Sequence, residues 1–285
     1  MNDIVCISPV DGSVVARRRI ATDPEIAEAL AAARQAQREW SRVPLAERKA
    51  KVLAFLEIIR AQNDEIVPEL AMQMGRPVRY GGELRSLEER VRTLVELSDE
   101  ALAPTTPAER PGFRRMIKRV PAGVVLVIAP WNYPYLTAVN AVVPALLSGN
   151  AVILKHATQT LLVGERFQSA MDQAGLPKNL FTTLNLDHGA AEKLITSGLL
   201  TMSTSPVRLP AAVRSNGPRP VPSQRSALNW AVKIRLTSDQ TRTLILRWNS
   251  SSMERSTIPA SAAAASSAST STSRSMIALW TRSPI

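Results

Sequence analysis

The segment from Pro121 to Lys155 places two polar side chains where they could do chemistry, each at the end of an apolar run. Asn132 lies in a short break, Trp-Asn-Tyr-Pro, that follows the first run, and Lys155 ends the second. A side-chain amide can donate hydrogen bonds to a developing negative charge, and an ammonium group can bind anionic or hydroxyl oxygens. Taken alone, an Asn before a helix is more often a cap and a Lys at a strand end is more often an ordinary surface residue. Which role applies depends on the elements that carry the two residues.

The pattern from Pro121 onward predicts alternating strands and helices. The apolar run from Gly123 to Ala129 is typical of a parallel strand buried on both faces. It is followed by a helix at 135–147, a strand at 151–154, a helix at 160–174, a strand at 180–184 and a helix at 190–196. This order predicts a doubly wound, Rossmann-like parallel sheet, which binds nucleotides at the carboxyl ends of its strands. The usual G-x-G-x-x-G loop is absent from the first turn.

Helices dominate the chain before this sheet. Residues 4–21 alternate around an Asp11-Gly12 turn, which predicts a β-hairpin. Helical spacing then predicts helices from Asp23, from Pro44, over 64–74 and over 84–102, each packing a core. Residues 104–112 contain several prolines and are interpreted as a linker. The expected fold class is α/β, with N-terminal helices plus the doubly wound Rossmann-like parallel sheet.

Composition divides the chain into a neutral part and a basic tail. Residues 1–200 contain 24 Lys and Arg against 22 Asp and Glu, whereas residues 201–285 contain 11 against 2. The tail also holds 27 Ser and Thr among its 85 residues, so we expect it to be poorly ordered. The expected divisions are a helical and hairpin segment (1–110), a Rossmann-like nucleotide-binding segment (111–200) and the tail (201–285).

The cysteine and histidine content excludes several classes of protein. Cys6 is the only cysteine, which excludes a disulfide framework and favours a reducing, cytoplasmic location. His156 and His188 are too few and too far apart to predict a metal site, and we expect both at the surface or in loops. No secretory signal is visible in the first 15 residues, and polar residues and prolines interrupt the most apolar region before it could span a bilayer.

Three stretches carry a resemblance to a known family. IAPWNYP begins at Ile128, SGNAVILK begins at Ser148, and DPEIAEALAAARQAQREW forms the first predicted helix. Together they resemble the aldehyde dehydrogenase superfamily over residues 1 to about 200. The resemblance implies an aldehyde dehydrogenase-like fold, here truncated, and oxidation of an aldehyde to a carboxylic acid by NAD or NADP through a cysteine thiohemiacetal.

The resemblance also implies roles for individual residues. Asn132 would be the oxyanion donor, worth roughly 3 kcal/mol of barrier in comparable sites. Lys155 would bind the adenosine ribose of NAD or the 2′-phosphate of NADP. Thr158 stands where NAD-preferring members tend to carry Glu, and the missing carboxylate removes a repulsion against a 2′-phosphate. The wall of the cofactor cleft would be formed by Ile128, Ala129, Pro130 and Trp131, although Trp131 alone could equally be a core aromatic.

The resemblance stops near Leu200, before the family's general-base segment and catalytic cysteine. Codons read one nucleotide early permit the missing motifs in their usual order: Phe-Thr-Gly from 200–207, Glu-Leu-Gly-Gly-Lys from 228–234, and Ser-Gly-Gln followed by Cys from 252–265. Several positions are forced, since the codons of Asn229, Trp230 and Ala231 allow only Leu-Gly. We therefore hypothesise that the tail is a frame-shifted translation of the catalytic segment and that the chain as written is inactive.

A small-molecule aldehyde is the expected partner, and the family commonly forms homo-oligomers. The alternative is a non-enzymatic basic protein that binds nucleic acid or acidic surfaces through its tail. Against this alternative, the tail has no recognised motif and only Trp230, Trp248 and Trp280 as aromatic residues. We therefore expect no nucleic-acid partner and no membrane partner.

Overall fold

The computed structural model describes residues 3–109, 112, 115–204, 233–237 and 243–247. The chain separates into two compact units, Met1–Ala103 with Pro121–Leu228, and Pro104–Val120 with Asn229–Ile285. The expected boundary at residues 110 and 111 lies outside the described residues, as does most of the expected tail, including its proposed binding surface. Every residue that the sequence singles out for the site belongs to the first unit.

The first unit begins with the predicted hairpin. Strands β1 (Asp3–Ile7) and β2 (Val14–Arg19) pair in an antiparallel ladder. In the connection, the Asp11 carboxylate accepts a hydrogen bond from the Ser13 backbone N–H at 3.0 Å. Gly12 has φ of +75°, a conformation that side chains disfavour. The Asp-Gly signal therefore identified the turn correctly.

Four helices follow, as the periodicity predicts: α1 (Asp23–Trp40), α2 (Leu45–Ala61), α3 (Asn63–Met74) and α4 (Leu84–Leu102). At the start of α1, the Glu25 carboxylate accepts a hydrogen bond from the Thr22 backbone N–H at 2.8 Å. Each helix buries an apolar face, which confirms that these helices pack a core. A short 3-10 helix, Val78–Tyr80, was not predicted.

A four-stranded parallel sheet forms the centre of the first unit. Its strands are β4 (Val124–Ile128), β5 (Ala151–Lys155), β6 (Phe181–Thr183) and β7 (Met202–Thr204), in the spatial order β6-β5-β4-β7. The connections contain α5 (Pro134–Leu147), the 3-10 helix Thr158–Thr160 with α6 (Leu161–Gln173), and α7 (His188–Thr196). The predicted α/β fold is confirmed, and the strand order reverses between β4 and β7.

Strand β7 lies inside the region that was expected to be a separate, poorly ordered tail. The Thr201 backbone N–H donates to the Val124 carbonyl at 3.1 Å, and Met202–Thr204 pairs with β4. An edge strand is held by backbone hydrogen bonds, which do not depend on side-chain identity. The parallel sheet therefore extends past residue 201, beyond the expected boundary.

Three further strands belong to the second unit and were not predicted. β3 (Lys118–Val120), β8 (Lys233–Thr237) and β9 (Thr243–Arg247) form an antiparallel sheet in the order β3-β8-β9. Thr105 and Ile117 form an isolated antiparallel bridge in the same unit, within the predicted linker and its continuation. β3 and β9 lack a strict alternation of polar and apolar residues, whereas β8 alternates over its five residues, Lys-Ile-Arg-Leu-Thr.

An aromatic cluster fixes α5 inside the first unit. The Phe167 ring on α6 lies 5.4 Å from Phe55 on α2, 5.6 Å from Tyr135 on α5 and 6.2 Å from Phe181 on β6, between ring centroids. Trp40 adds a hydrogen bond from its indole N–H to the Leu146 carbonyl at 2.8 Å. These contacts hold α5 at both ends, so the loop before it starts from a fixed helix.

Candidate functional site

The carboxyl ends of β4 and β5 bring the predicted site residues together. Ile128 and Lys155 are direct neighbours in the parallel register, and the Ala129 backbone N–H donates to the Lys155 carbonyl at 3.0 Å. Strand β4 is also the strand beside which the order reverses. In open α/β sheets, ligands bind outside the carboxyl ends of the strands at this reversal. The predicted residues therefore surround the place where a ligand is expected.

The loop after β4 presents Asn132 to the outside. Pro130 is buried, whereas Trp131 and Asn132 are exposed, Trp131 with 53% of its surface accessible. Trp131 is therefore not a core aromatic. The Asn132 carbonyl accepts a hydrogen bond from the Thr137 hydroxyl at 3.1 Å, which ties its backbone to the first turns of α5.

The Asn132 side chain is not a helix cap. The N-cap position of α5 is held by Tyr133, in the left-handed conformation (φ 55°, ψ 58°), and no side-chain capping bond is made there. Within the described part of the chain, the Asn132 amide has no hydrogen-bond partner. Its donors therefore remain available to a ligand.

Lys155 is buried at the end of β5, with 6% of its surface accessible. Its ammonium donates one long hydrogen bond, 3.4 Å, to the adjacent His156 carbonyl. Burial lowers the pKa of Lys155, and the Asp187 carboxylate partly opposes this shift. An ammonium group has three donors, so the described surroundings leave most of its hydrogen-bonding capacity unused. A ligand with several oxygens would satisfy it.

Thr158 lies three residues beyond Lys155, at the start of the 3-10 helix that follows β5. Its side chain is exposed, and it places no charge beside the strand end. The structure thus puts the seven predicted site residues either at the carboxyl ends of β4 and β5 or on the segments that follow these strands.

Comparison with known proteins identifies the family that has this arrangement. The family model described as aldehyde dehydrogenase family matches residues 1–201. The chain belongs to the aldehyde dehydrogenase family. A relative from Vibrio cholerae, N-succinylglutamate 5-semialdehyde dehydrogenase, is 33% identical over 173 residues, covering 60% of this chain and 35% of that protein. Benzaldehyde dehydrogenase [NAD(+)] from Pseudomonas putida is 30% identical over 199 residues, covering 69% and 41%.

A solved structure supports the same assignment. The NAD-dependent benzaldehyde dehydrogenase from Corynebacterium glutamicum has a TM-score of 0.64 and 27% identity, over 71% of this chain and 45% of that chain. This aldehyde dehydrogenase chain thus spans less than half the length of the relatives that it matches.

The single cysteine of this chain is not placed as a nucleophile. Cys6 lies in β1, fully buried in a small cluster with Ala16 and Leu161, and its thiol contacts the Gln159 carbonyl at 3.1 Å. Burial raises the pKa of Cys6, which favours the unreactive thiol over the thiolate. Among the described residues, no group of three His, Cys, Asp or Glu could hold a metal ion. No described helix is long and apolar enough to cross a membrane.

Two buried titratable residues near the site were missed by the sequence analysis. Glu83 precedes α4, and its carboxylate accepts a hydrogen bond from the Leu136 backbone N–H of α5 at 2.7 Å. Burial raises the pKa of Glu83, while the Leu136 bond and Arg76 oppose the rise. The other residue is His156, which lies in a loop, one of the two expected positions, but is buried with only 5% of its surface exposed. His188, in contrast, is exposed.

His156 joins the end of β5 to the start of α5. Its Nδ1 accepts from the Ala157 backbone N–H at 3.0 Å and lies 2.9 Å from the Thr160 hydroxyl. With Nδ1 as an acceptor, Nε2 carries the proton and donates to the Pro134 carbonyl at 3.3 Å. A neutral imidazole therefore bridges the two segments that carry the site. No local sequence signal identifies this contact, because Pro134 lies 22 residues away.

We expect this histidine to make the protein sensitive to mild acid. Burial lowers the pKa of His156 from 6.5 to about 4. Between these values the unfolded chain binds a proton that the folded chain does not, so stability falls as the pH drops through this window and is unaffected above it. Once the pH is below both pKa values, the free energy of unfolding has fallen by about 3 kcal/mol. Urea unfolding of the wild type and His156→Gln at pH 7.5 and pH 5 measures it.

The control is His188→Gln, which removes the exposed histidine. We expect this variant to retain the wild-type loss of stability at pH 5, whereas His156→Gln loses part of that dependence. Equal pH dependence in all three proteins would contradict the assignment.

Proposed function

We propose that this chain carries the cofactor-binding part of an NAD(P)-dependent aldehyde dehydrogenase, an enzyme that oxidises an aldehyde to a carboxylic acid. The observation that carries the proposal is the buried ammonium of Lys155 at the carboxyl end of β5, with one long hydrogen bond in its described surroundings. Burying a charge without a good partner costs free energy, so such a group is retained where a ligand completes its contacts. The adenosine ribose or its 2′-phosphate supplies the missing oxygens.

The surrounding residues fit the same cofactor. Ile128 and Ala129 lie beside Lys155, Pro130 is buried, and Trp131 presents an exposed ring at the end of β4. These four residues line the cleft wall, and the bound cofactor supplies a hydride acceptor. Thr158 leaves the ribose end of the site without a carboxylate, so both NAD and NADP fit.

Asn132 is proposed as the oxyanion donor for the aldehyde. Attack on a carbonyl carbon places negative charge on its oxygen, and a preorganised N–H donor stabilises that charge. The Asn132 amide is exposed, its backbone is held by Thr137, and its donors have no partner among the described residues. The relatives named above are dehydrogenases of N-succinylglutamate 5-semialdehyde and of benzaldehyde, and an aldehyde substrate is proposed for this chain.

We further propose that the gene encodes the nucleophile one base out of frame. The three recoverable motifs come from residues 200–265, most of which lie outside the described residues. The chain as it stands has Cys6 alone, so we expect it to bind NAD(P) without oxidising aldehydes. The DNA sequence around the codons for Gly198 to Ser203 tests the frame shift directly. We also propose a cytoplasmic location, which a free buried cysteine suits.

Cofactor binding by this chain is expected to depend on Lys155. Lys155→Met keeps an unbranched side chain of nearly the same length but removes its charge and donors. Because a hydrogen bond to a charged group contributes about 1.5 to 3 kcal/mol, we expect the Kd for NAD or NADP to rise about 10- to 100-fold. Isothermal titration calorimetry with each cofactor gives both constants and their ratio.

Lys178→Met is the matched control, because Lys178 is exposed before β6. It should leave both Kd values within a factor of about two, since exposed charges contribute little. An unchanged Kd for folded Lys155→Met would remove the observation on which the proposed function rests.

A further inference from the structure

The first turn of α5 has no cap in its own sequence. The first N–H groups of a helix need partners from outside the helix, and Asn, Asp, Ser or Thr at the N-cap usually supplies one. Tyr133 occupies the N-cap of α5 and makes no side-chain capping bond. Asn132, whose type suits a cap, lies one residue too early. Pro134 has no N–H, so the amides of Tyr135 and Leu136 need another acceptor.

Glu83 provides that acceptor from a different part of the chain. Its Oε2 accepts from the Leu136 backbone N–H at 2.7 Å, and the adjacent Tyr135 N–H also lowers the pKa of the carboxylate. Only 1% of the Glu83 side chain is exposed. A carboxylate at a helix N-terminus is stabilised by the helix dipole as well as by the Leu136 bond. Glu83 is therefore a long-range cap for the helix that follows the Asn132 loop.

Arg76 connects this cap to the loop itself. Its Nη1 lies 3.5 Å from Glu83 Oε1, and its Nε donates to the Gly81 carbonyl at 3.1 Å. Its guanidinium carbon lies 5.6 Å from the centre of the Tyr133 ring. A cation over an aromatic face is attractive, and a guanidinium is suited to stacking. Arg76 thus contacts the residue that follows Asn132 and the carboxylate that caps α5.

We propose that Glu83 and Arg76 are positioning residues that hold Asn132 for its role in the reaction. Glu83 satisfies the N-terminus of α5, so this helix needs no side-chain cap from the loop that carries Asn132. Arg76 holds the ring of Tyr133, whose left-handed backbone turns the chain from Asn132 into α5. The reaction part of this inference rests on the proposed function, whereas the positioning of the amide can be measured in this chain alone.

Selective 15N labelling of asparagine tests the positioning directly. The side-chain NH2 signals of Asn132 are assigned by their loss in Asn132→Ala. In Glu83→Ala we expect these signals to shift or broaden, and exchange of the Leu136 amide hydrogen to accelerate at least about tenfold. Glu83→Gln keeps an acceptor oxygen and should restore most of both properties. Glu89→Ala, an exposed change on α4, the helix that Glu83 precedes, is the control and should alter neither.

Arg76→Met separates the contribution of the Arg76 contact with Tyr133 from that of the Glu83 cap. It also tests the proposal if Glu83→Ala does not fold. It should move the Asn132 signals while Leu136 stays protected, because Glu83 remains. Unchanged Asn132 signals in folded Glu83→Ala or in Arg76→Met would overturn the proposal, as would a failure of Glu83→Gln to rescue. None of these measurements uses a cofactor or an aldehyde. If only the proposed function is wrong, the Asn132 signals will respond to the variants as expected while the chain fails to bind NAD(P).

Discussion

Restoring the reading frame just before the codon for Thr201 is expected to convert this chain into an active aldehyde dehydrogenase. The restored tail regains the Glu-Leu-Gly-Gly-Lys segment and a Cys after Ser-Gly-Gln, whereas the chain as it stands has only the buried Cys6. Loss of a catalytic nucleophile costs on the order of 10⁶ in rate, so we expect the restored enzyme to exceed the present chain by about that factor. Formation of NADH or NADPH with a panel of aldehydes measures the gain.

The matched control is the restored gene with the cysteine after Ser-Gly-Gln changed to Ala. This protein contains the same tail but no thiol at the expected position, and it should return to the rate of the present chain. Turnover by the present chain would contradict the proposal that it lacks the nucleophile. An inactive restored protein that folds and binds NAD(P) would contradict the proposal that the shifted frame encodes the nucleophile.

The sequence predicted the elements whose pattern is local. The predicted bounds of α4, 84–102, match the structure because charged and apolar residues alternate with helical period along its whole length. The continuous apolar run of β4 marks a strand buried on both faces, and the strand is buried apart from its last residue. In both cases the information lies within the element itself.

The contacts that shape the site could not be predicted in this way. In the sequence, nothing distinguishes Glu83 from an ordinary charged residue before a helix, because its partner Leu136 lies 53 residues further along the chain. The sequence indicates only a surface or loop histidine at His156, whereas the folded chain places its ring against the Pro134 carbonyl. The left-handed conformation of Tyr133 is unexpected for a large side chain. The Glu83 contact depends on the packing of α4 against α5, and the His156 contact depends on the position of α5 beside β5, and no local pattern encodes either.

This division explains why the resemblance points to Asn132 and Lys155 but not to the residues around them. A family motif records the residues that meet the ligand, at fixed spacing within a short segment. Glu83 and Arg76 lie in another segment, and their side chains contact the loop and the helix that carry the motif. The site therefore consists of a recognisable motif and a supporting set that becomes visible only in three dimensions.

Asn132→Ala in the frame-restored enzyme is expected to lower kcat about 10²- to 10³-fold, the usual loss on removing one oxyanion donor. The cofactor Kd should change little, because Lys155 lies on β5 and Asn132 lies on the loop after β4. Asn132→Asp should be at least as slow, since its carboxylate would repel the oxyanion. Stopped-flow measurement of the first turnover separates the chemical step from product release.

Asn140→Ala provides the comparison, because Asn140 is an exposed asparagine on α5 whose side chain contacts Arg90 at 3.0 Å, outside the loop. It should leave kcat within a factor of about two, as exposed substitutions usually do. If Asn132→Ala and Asn140→Ala have equal first-turnover rates, the amide of Asn132 does not stabilise the transition state. A large loss in kcat with an unchanged cofactor Kd places the effect on the aldehyde oxygen, since a distorted sheet edge would also weaken binding at Lys155.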